Sequence, residues 1–304
     1  MASSLPRIGF VGVGLMGHGM AKNLVTKGYP LLVRVHRNRK PLEDLLAAGA
    51  REAATNADLA RGSDIVFLCV TGAPQVEEVI AGADGVESVA REGLIVVDTS
   101  TSEPAVTARL RERLAARGTR LVDAPLARTP KEAEEGRLNI MVGADDATFA
   151  TLRPVLGAFC ENVIHAGPPG HGHTIKLINN FLSLSMATVL AEAMATATRA
   201  GIPLRKIYEV VAAGPNNSGI VQMLVGRMLE GDLTGLRFTL ANAMKDMRYY
   251  THLAESLPAS AVVGEAVHQT LVQANLLGFG DRYIASLFEA QEKLIGMPIV
   301  PRAS

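Results

Sequence analysis

The chain has 304 residues, with 30 basic and 30 acidic side chains, 48% apolar content and no Trp. That length accommodates two domains, each with its own core. The neutral balance excludes a global field for nucleic acid or an anionic membrane, so any anion site must be local. The only cysteines are Cys69, inside the apolar run "DIVFLCV", and Cys160, which argues against a disulfide framework and for a reducing, cytoplasmic setting. The first residues, "MASSLPR", lead into a strand pattern with neither an apolar signal core nor an arginine-rich transit stretch.

From residue 7 to about 165, short β-type runs alternate with helix-type runs. The strands are "RIGFV", "LLVRV", "DIVFLCV", "LIVVD", "RLVDAP" and "NIMVG". Strands joined by helical crossovers predict a parallel sheet with helices on both faces, an α/β Rossmann domain. After the first strand, Gly12, Gly14 and Gly17 form a G-x-G-x-x-G loop with Leu15 and Met16 between them, opening a helix. The first glycine permits the turn, the second admits a pyrophosphate, and the third lets helix pack on strand, so the loop reads as dinucleotide-binding. An acid that selects NAD is expected at the end of the second strand. Here stand His36, Arg37, Asn38, Arg39 and Lys40. Without an acid and with planar guanidinium groups to hold a 2′-phosphate, NADP(H) is favoured over NAD(H). Val70, which closes the third strand pattern, and Thr71 after it are further cofactor candidates.

The stretch "DAPLARTPKEAEEGRLNIMVG" places Arg128 and Thr129 in a loop after a strand, where an arginine can fork around an anion. Near "HAGPPGHGHT" the strands stop and long Ala/Leu/Met-rich helices begin. We therefore expect a nucleotide-binding domain over 1–167 and an all-α domain over 168–304, opened by a long helix. On that helix Lys176, Asn179, Asn180 and Ser183 follow an i, i+3, i+4, i+7 pattern and share one face. The same residues interrupt its apolar run, so it does not read as a membrane span. A lysine among apolar neighbours can exchange protons near neutrality, and amides can orient a carbonyl or carboxylate. A hydrogen-bonded interhelical stripe would show the same pattern.

Together, "IGFVGVGLMGHGMAKNL", "DTSTSEP", "DAPLARTPKEAEEGRLNIMVG", "GHGHTIKLINN" and "FTLANAMKDM" occur in an order that resembles the β-hydroxyacid dehydrogenase family across nearly the whole chain. The resemblance implies a Rossmann domain followed by a helical domain that mediates homodimers or homotetramers. It implies Lys176 as general acid/base, Asn180 as substrate-orienting amide, Thr101 beside the nicotinamide, and Lys245 with Asp246 closing over the cofactor. The chain departs from the family where a Val-Ser-Gly-Gly loop is usual, and reads Leu126-Ala127-Arg128-Thr129 instead. In that respect it is similar to the sulfolactaldehyde reductases of the family, which implies that Arg128, Thr129, Asn179 and Ser183 bind a sulfonate or other terminal anion. Unlike them it has His36-Arg37 after the second strand. A 3-hydroxyisobutyrate or semialdehyde substrate, a catalytically inactive nucleotide-binding scaffold and an imine reductase are the alternatives.

Three other features carry less. His171 and His173 have no neighbouring Cys or carboxylate in sequence to complete a metal set. "RLRERLAARGTR" reads as the solvated face of a helix, and Ser100, Ser183 and Ser185 lack the histidine and acid of a hydrolase.

Overall fold

The computed structural model describes residues 5–35 and 39–301. They form two compact units, divided between Lys176 and Leu177. The strand pattern ends near residue 167, but the first turns of the following helix belong to the first unit.

The first unit is built on a sheet of nine strands among the described residues, in the order β3-β2-β1-β4-β5-β6-β8-β7, with β9 paired to β8. The strands are β1 (Ile8–Val11), β2 (Leu31–Arg34), β3 (Arg51–Glu52), β4 (Ile65–Leu68), β5 (Ile95–Asp98), β6 (Arg120–Asp123), β7 (Leu126–Ala127), β8 (Leu138–Gly143) and β9 (Cys160–Gly167). Seven helices intervene: α1 (Gly17–Thr26), α2 (Lys40–Ala47), α3 (Asn56–Arg61), α4 (Ala73–Ala81), α5 (Pro104–Ala115), α6 (Pro130–Glu134) and α7 (Asp146–Leu156). β1 to β6 are parallel, as the crossover helices require. The expected all-parallel sheet changes beyond β6: β8 runs antiparallel to both β6 and β7.

The apolar runs follow from burial on both faces. Ile8, Phe10, Ile65, Phe67, Ile95 and Val97 enter one core layer, while Val11, Val66, Leu68 and Val96 enter the other. Phe67 joins strands to cover, stacking on Phe10 at 6.1 Å and meeting Phe159 edge-on at 5.6 Å. Truncating Phe67 to Ala would cost about 3–5 kcal/mol through the cavity left behind.

The second unit is helical. The long α8 (His171–Arg199) begins in the first unit and continues into the second. It is followed by α9 (Leu204–Ala213), a short α10 (Gly219–Val221) that runs on into a π-helical turn, α11 (Leu240–Ser256), α12 (Val262–Ala274) and α13 (Leu287–Ile295). α8 is long and apolar enough to cross a membrane by composition alone. One side of it, Leu184, Ala187, Ala191 and Met194, is packed into a core with Met247 of α11, Leu271 of α12 and Phe288 of α13. Its other side leaves Leu182, Met186 and Val189 exposed at i, i+4 and i+7.

Candidate functional site

The glycine loop has the shape a pyrophosphate requires. Gly12 takes φ +96°, and a Cβ there would lie 2.2 Å from the Cys69 carbonyl oxygen. A Cβ at Gly17 would lie 2.0 Å from the Gly12 carbonyl, so α1 starts against the loop itself. Gly14 faces open space, with nothing within 4 Å of its Cβ direction. The first turn of α1 has no acidic residue and no side-chain cap; the His18 N–H is bonded to the Gly14 carbonyl at 3.0 Å, and the positive end of the helix dipole is left to an anion. Leu15 is exposed and Met16 half-buried at the rim.

The neighbouring strand ends are laced to each other. The Val70 N–H donates to the Ser100 hydroxyl at 3.0 Å, the Ser100 N–H to Asp98 at 2.9 Å, and the Thr99 hydroxyl to the Leu68 carbonyl at 2.7 Å. These bonds fix Val70, Thr71 and Thr101 at the carboxyl edge of the sheet, where open α/β sheets bind ligands. The residues present therefore fit a dinucleotide.

Arg37 and Asn38 lie outside the described residues. Arg39 precedes α2, and its guanidinium donates through both Nη atoms to the two carboxylate oxygens of Glu52, each at 2.9 Å. The sequence expectation of no acid at this point is corrected here. β2 carries none, but the two-residue edge strand β3 pairs parallel to it and brings Glu52 opposite Val33.

Lys176 is placed by the start of α8. Asp123, at the end of β6, accepts the N–H of Gly170 at 2.6 Å and that of His173 at 2.9 Å, satisfying donors the helix end leaves open. Gly172 is the close approach: a Cβ there would meet the Met141 and Asp123 carbonyls at 2.5 and 2.6 Å. The His173 ring lies 3.1 Å from the Thr107 hydroxyl and 3.7 Å from Asp98, with both His173 and Asp98 wholly buried. Burial pushes the Asp98 carboxyl above the usual carboxylate range, and the imidazole opposes that shift. Sequence reasoning missed Asp98, Asp123 and His173 as supports, although the first two close the strand patterns "LIVVD" and "RLVD".

One turn beyond Lys176, Asn180 is buried and donates its amide to Asp246 of α11 at 2.7 Å. Asp246, itself buried, lies 2.9 Å from the Lys245 ammonium, which also sits 5.0 Å over the Tyr249 ring. The structure thus brings Asn180, Lys245 and Asp246 together. Asn179 is exposed and Ser183 half-buried on the same helix.

Arg128 and Thr129 have protein partners. Arg128 adopts φ +82°, and its Nη1 donates to the Glu161 carboxylate and the Arg137 carbonyl. That pairing holds the Glu161 carboxyl below its ordinary range. Nε and Nη2 of Arg128 make no hydrogen bond among the described residues. Thr129 is the N-cap of α6, where a reciprocal capping box with Glu132 occupies its hydroxyl.

Comparison with known proteins gives two family matches. Residues 7–167 match the NAD binding domain of 6-phosphogluconate dehydrogenase, and residues 170–289 match the NAD-binding domain of NADP-dependent 3-hydroxyisobutyrate dehydrogenase. The chain is 31% identical to 2-hydroxy-3-oxopropionate reductase of Escherichia coli, over 83% of this chain and 85% of that protein. It is 28% identical to 3-sulfolactaldehyde reductase of Escherichia coli, over 95% and 97%. A crystal structure of 3-hydroxyisobutyrate dehydrogenase from Salmonella typhimurium superposes with a TM-score of 0.80 at 29% identity, covering 93% of this chain and 99% of that one.

Proposed function

This chain belongs to the β-hydroxyacid dehydrogenase family of NAD(P)-dependent oxidoreductases, and on that premise we propose that it interconverts a short anionic aldehyde and its hydroxy acid, with NADP(H) as the favoured carrier. The observation that carries this reading is the anchoring of α8. Asp123 ties the turn before Lys176 to the same sheet edge that presents the glycine loop. The bound nicotinamide supplies or accepts the hydride. Lys176 donates the proton to the carbonyl oxygen in reduction and receives it in oxidation. With one amide hydrogen committed to Asp246, Asn180 offers its carbonyl oxygen to the substrate hydroxyl. Lys245 and Asp246 hold that amide in register.

For the substrate, Arg128 is the selecting group. Its unused Nε and Nη2 donors suit a terminal sulfonate or carboxylate, and the likeness to the sulfolactaldehyde reductases adds Thr129, Asn179 and Ser183 as anion-binding candidates. 3-Sulfolactaldehyde is the candidate we favour. 3-Hydroxyisobutyrate and 2-hydroxy-3-oxopropionate are the nearest competitors, since relatives at similar identity bear those names. The exposed apolar row Leu182, Met186, Val189 supports a homodimer or homotetramer, which light scattering coupled to gel filtration measures directly. The deciding experiment for function is kcat/KM for these three substrates and for an uncharged aldehyde of similar length, with each cofactor. A preference for uncharged aldehydes would reject the anionic assignment.

A further inference from the structure

We propose that Glu52 moderates the preference of this enzyme for NADP(H) by occupying, with its carboxylate, the guanidinium fork of Arg39 that a ribose 2′-phosphate would otherwise take. The inference rests on the dinucleotide reading above and deepens it. In a Rossmann unit the adenosine ribose lies against the carboxyl end of the second strand. Here β2 ends at Arg34 and Arg39 stands just before α2, so Arg39 is among the described cations placed for that phosphate. Its two Nη donors are both taken, at 2.9 Å each, by the two oxygens of Glu52. That two-pronged geometry is the one an arginine uses for a phosphate.

β3 makes this arrangement possible. It is a two-residue edge strand with both side chains outside the core, and its register puts Glu52 beside Val33, one residue from the end of β2. The acid that the second strand lacks is thus delivered by its neighbour. Among the described residues, Arg34 faces Glu52 and Glu43 faces Arg39. A 2′-phosphate arriving here must displace Glu52 or share the guanidinium with it at like-charge distance. A free 2′-hydroxyl can instead donate to the carboxylate. Glu52 therefore opposes NADP(H), tolerates NAD(H), and moderates the preference that the basic residues confer.

The chain has no Trp, so binding is read from the fluorescence of NADPH and NADH as each is titrated into the free protein. Glu52→Gln should tighten NADPH by about three- to tenfold, the range expected when an exposed ion pair and a local repulsion are removed together, and leave NADH unchanged or weaker. The gain should vanish in the Glu52→Gln/Arg39→Ala double variant. An NADPH to NADH affinity ratio unmoved by Glu52→Gln overturns the proposal, and so does a gain that persists without Arg39. Failure of the unaltered protein to bind either nucleotide would reject the dinucleotide reading itself, before any variant is made. Both side chains lie outside the core, and matching thermal melts establish that the variants are folded.

Discussion

Asp123 accepts the backbone N–H of His173 at 2.9 Å, and this bond links the end of β6 to the helix turn that precedes Lys176. With the second bond, from Gly170 at 2.6 Å, one carboxylate fixes both the height and the rotation of α8 at its start. Asp123→Asn keeps one acceptor and turns an amide against the other donor. We expect a loss of about 2–3 kcal/mol in stability for the unsatisfied buried group. We also expect kcat to fall by about ten- to a hundredfold from misplacement of Lys176, with nucleotide affinity nearly unchanged. Urea melts and steady-state kinetics measure the two effects. A stability loss with an unaltered kcat would mean that the anchor does not position the lysine.

Arg128 is a non-glycine residue held at φ +82°, a conformation that costs an L-residue about 1–2 kcal/mol. Such strain in a loop beside a sheet edge points to a retained function. Arg128→Gly should therefore raise the melting temperature slightly and at the same time raise KM for an anionic substrate, with little effect on an uncharged aldehyde of equal length. If Arg128→Gly leaves KM for the anion unchanged, the side chain serves only its pairing with Glu161.

How much of this was legible in the sequence depends on where each partner lies along the chain. The six apolar strand patterns and the glycine loop are local signals, and each one appears as a strand or turn. β3 and β7, of two residues each, are too short to show periodicity. β9, "CENVIHAG", has a largely uncovered pattern and little apolar alternation. The reversal of β8 was hidden because strand direction depends on pairing, not composition. The polar stripe on α8 was readable from spacing, but its orientation was not: Asp246 lies 66 residues from Asn180. Glu52 and Glu161, which occupy Arg39 and Arg128 among the arginines singled out by sequence, come from strands whose adjacency the sequence did not disclose.

The thiols supply a test of the first unit's packing. Burial pushes Cys69 up to about 11, with the Thr99 hydroxyl opposing the shift, and burial raises Cys160 as well. At pH 8 a thiol of that pKa is ionised on the order of one part in a thousand, so a disulfide reagent should label the native protein slowly and the urea-unfolded chain rapidly at both cysteines. The linkage has a definite sign. A thiol raised in the folded state favours folding fully below its unfolded pKa, and that contribution is lost as pH rises through the folded value, so stability should decline from about pH 9 toward pH 11. Cys69→Ser should reduce that alkaline decline. Rapid labelling of Cys160, the buried thiol, in the native protein at pH 8 would show that the start of β9 is open to solvent.

If Lys176 carries the proton in an NAD(P)-dependent oxidation or reduction, the turnover of Lys176→Ala measured beside its nucleotide affinity reports it most directly. Loss of a positioned acid/base lowers kcat by about 10²- to 10⁴-fold. We expect that loss in Lys176→Ala, with NADPH binding by nicotinamide fluorescence retained because the glycine loop is untouched. A variant that turns over at nearly the unaltered rate would contradict the assignment.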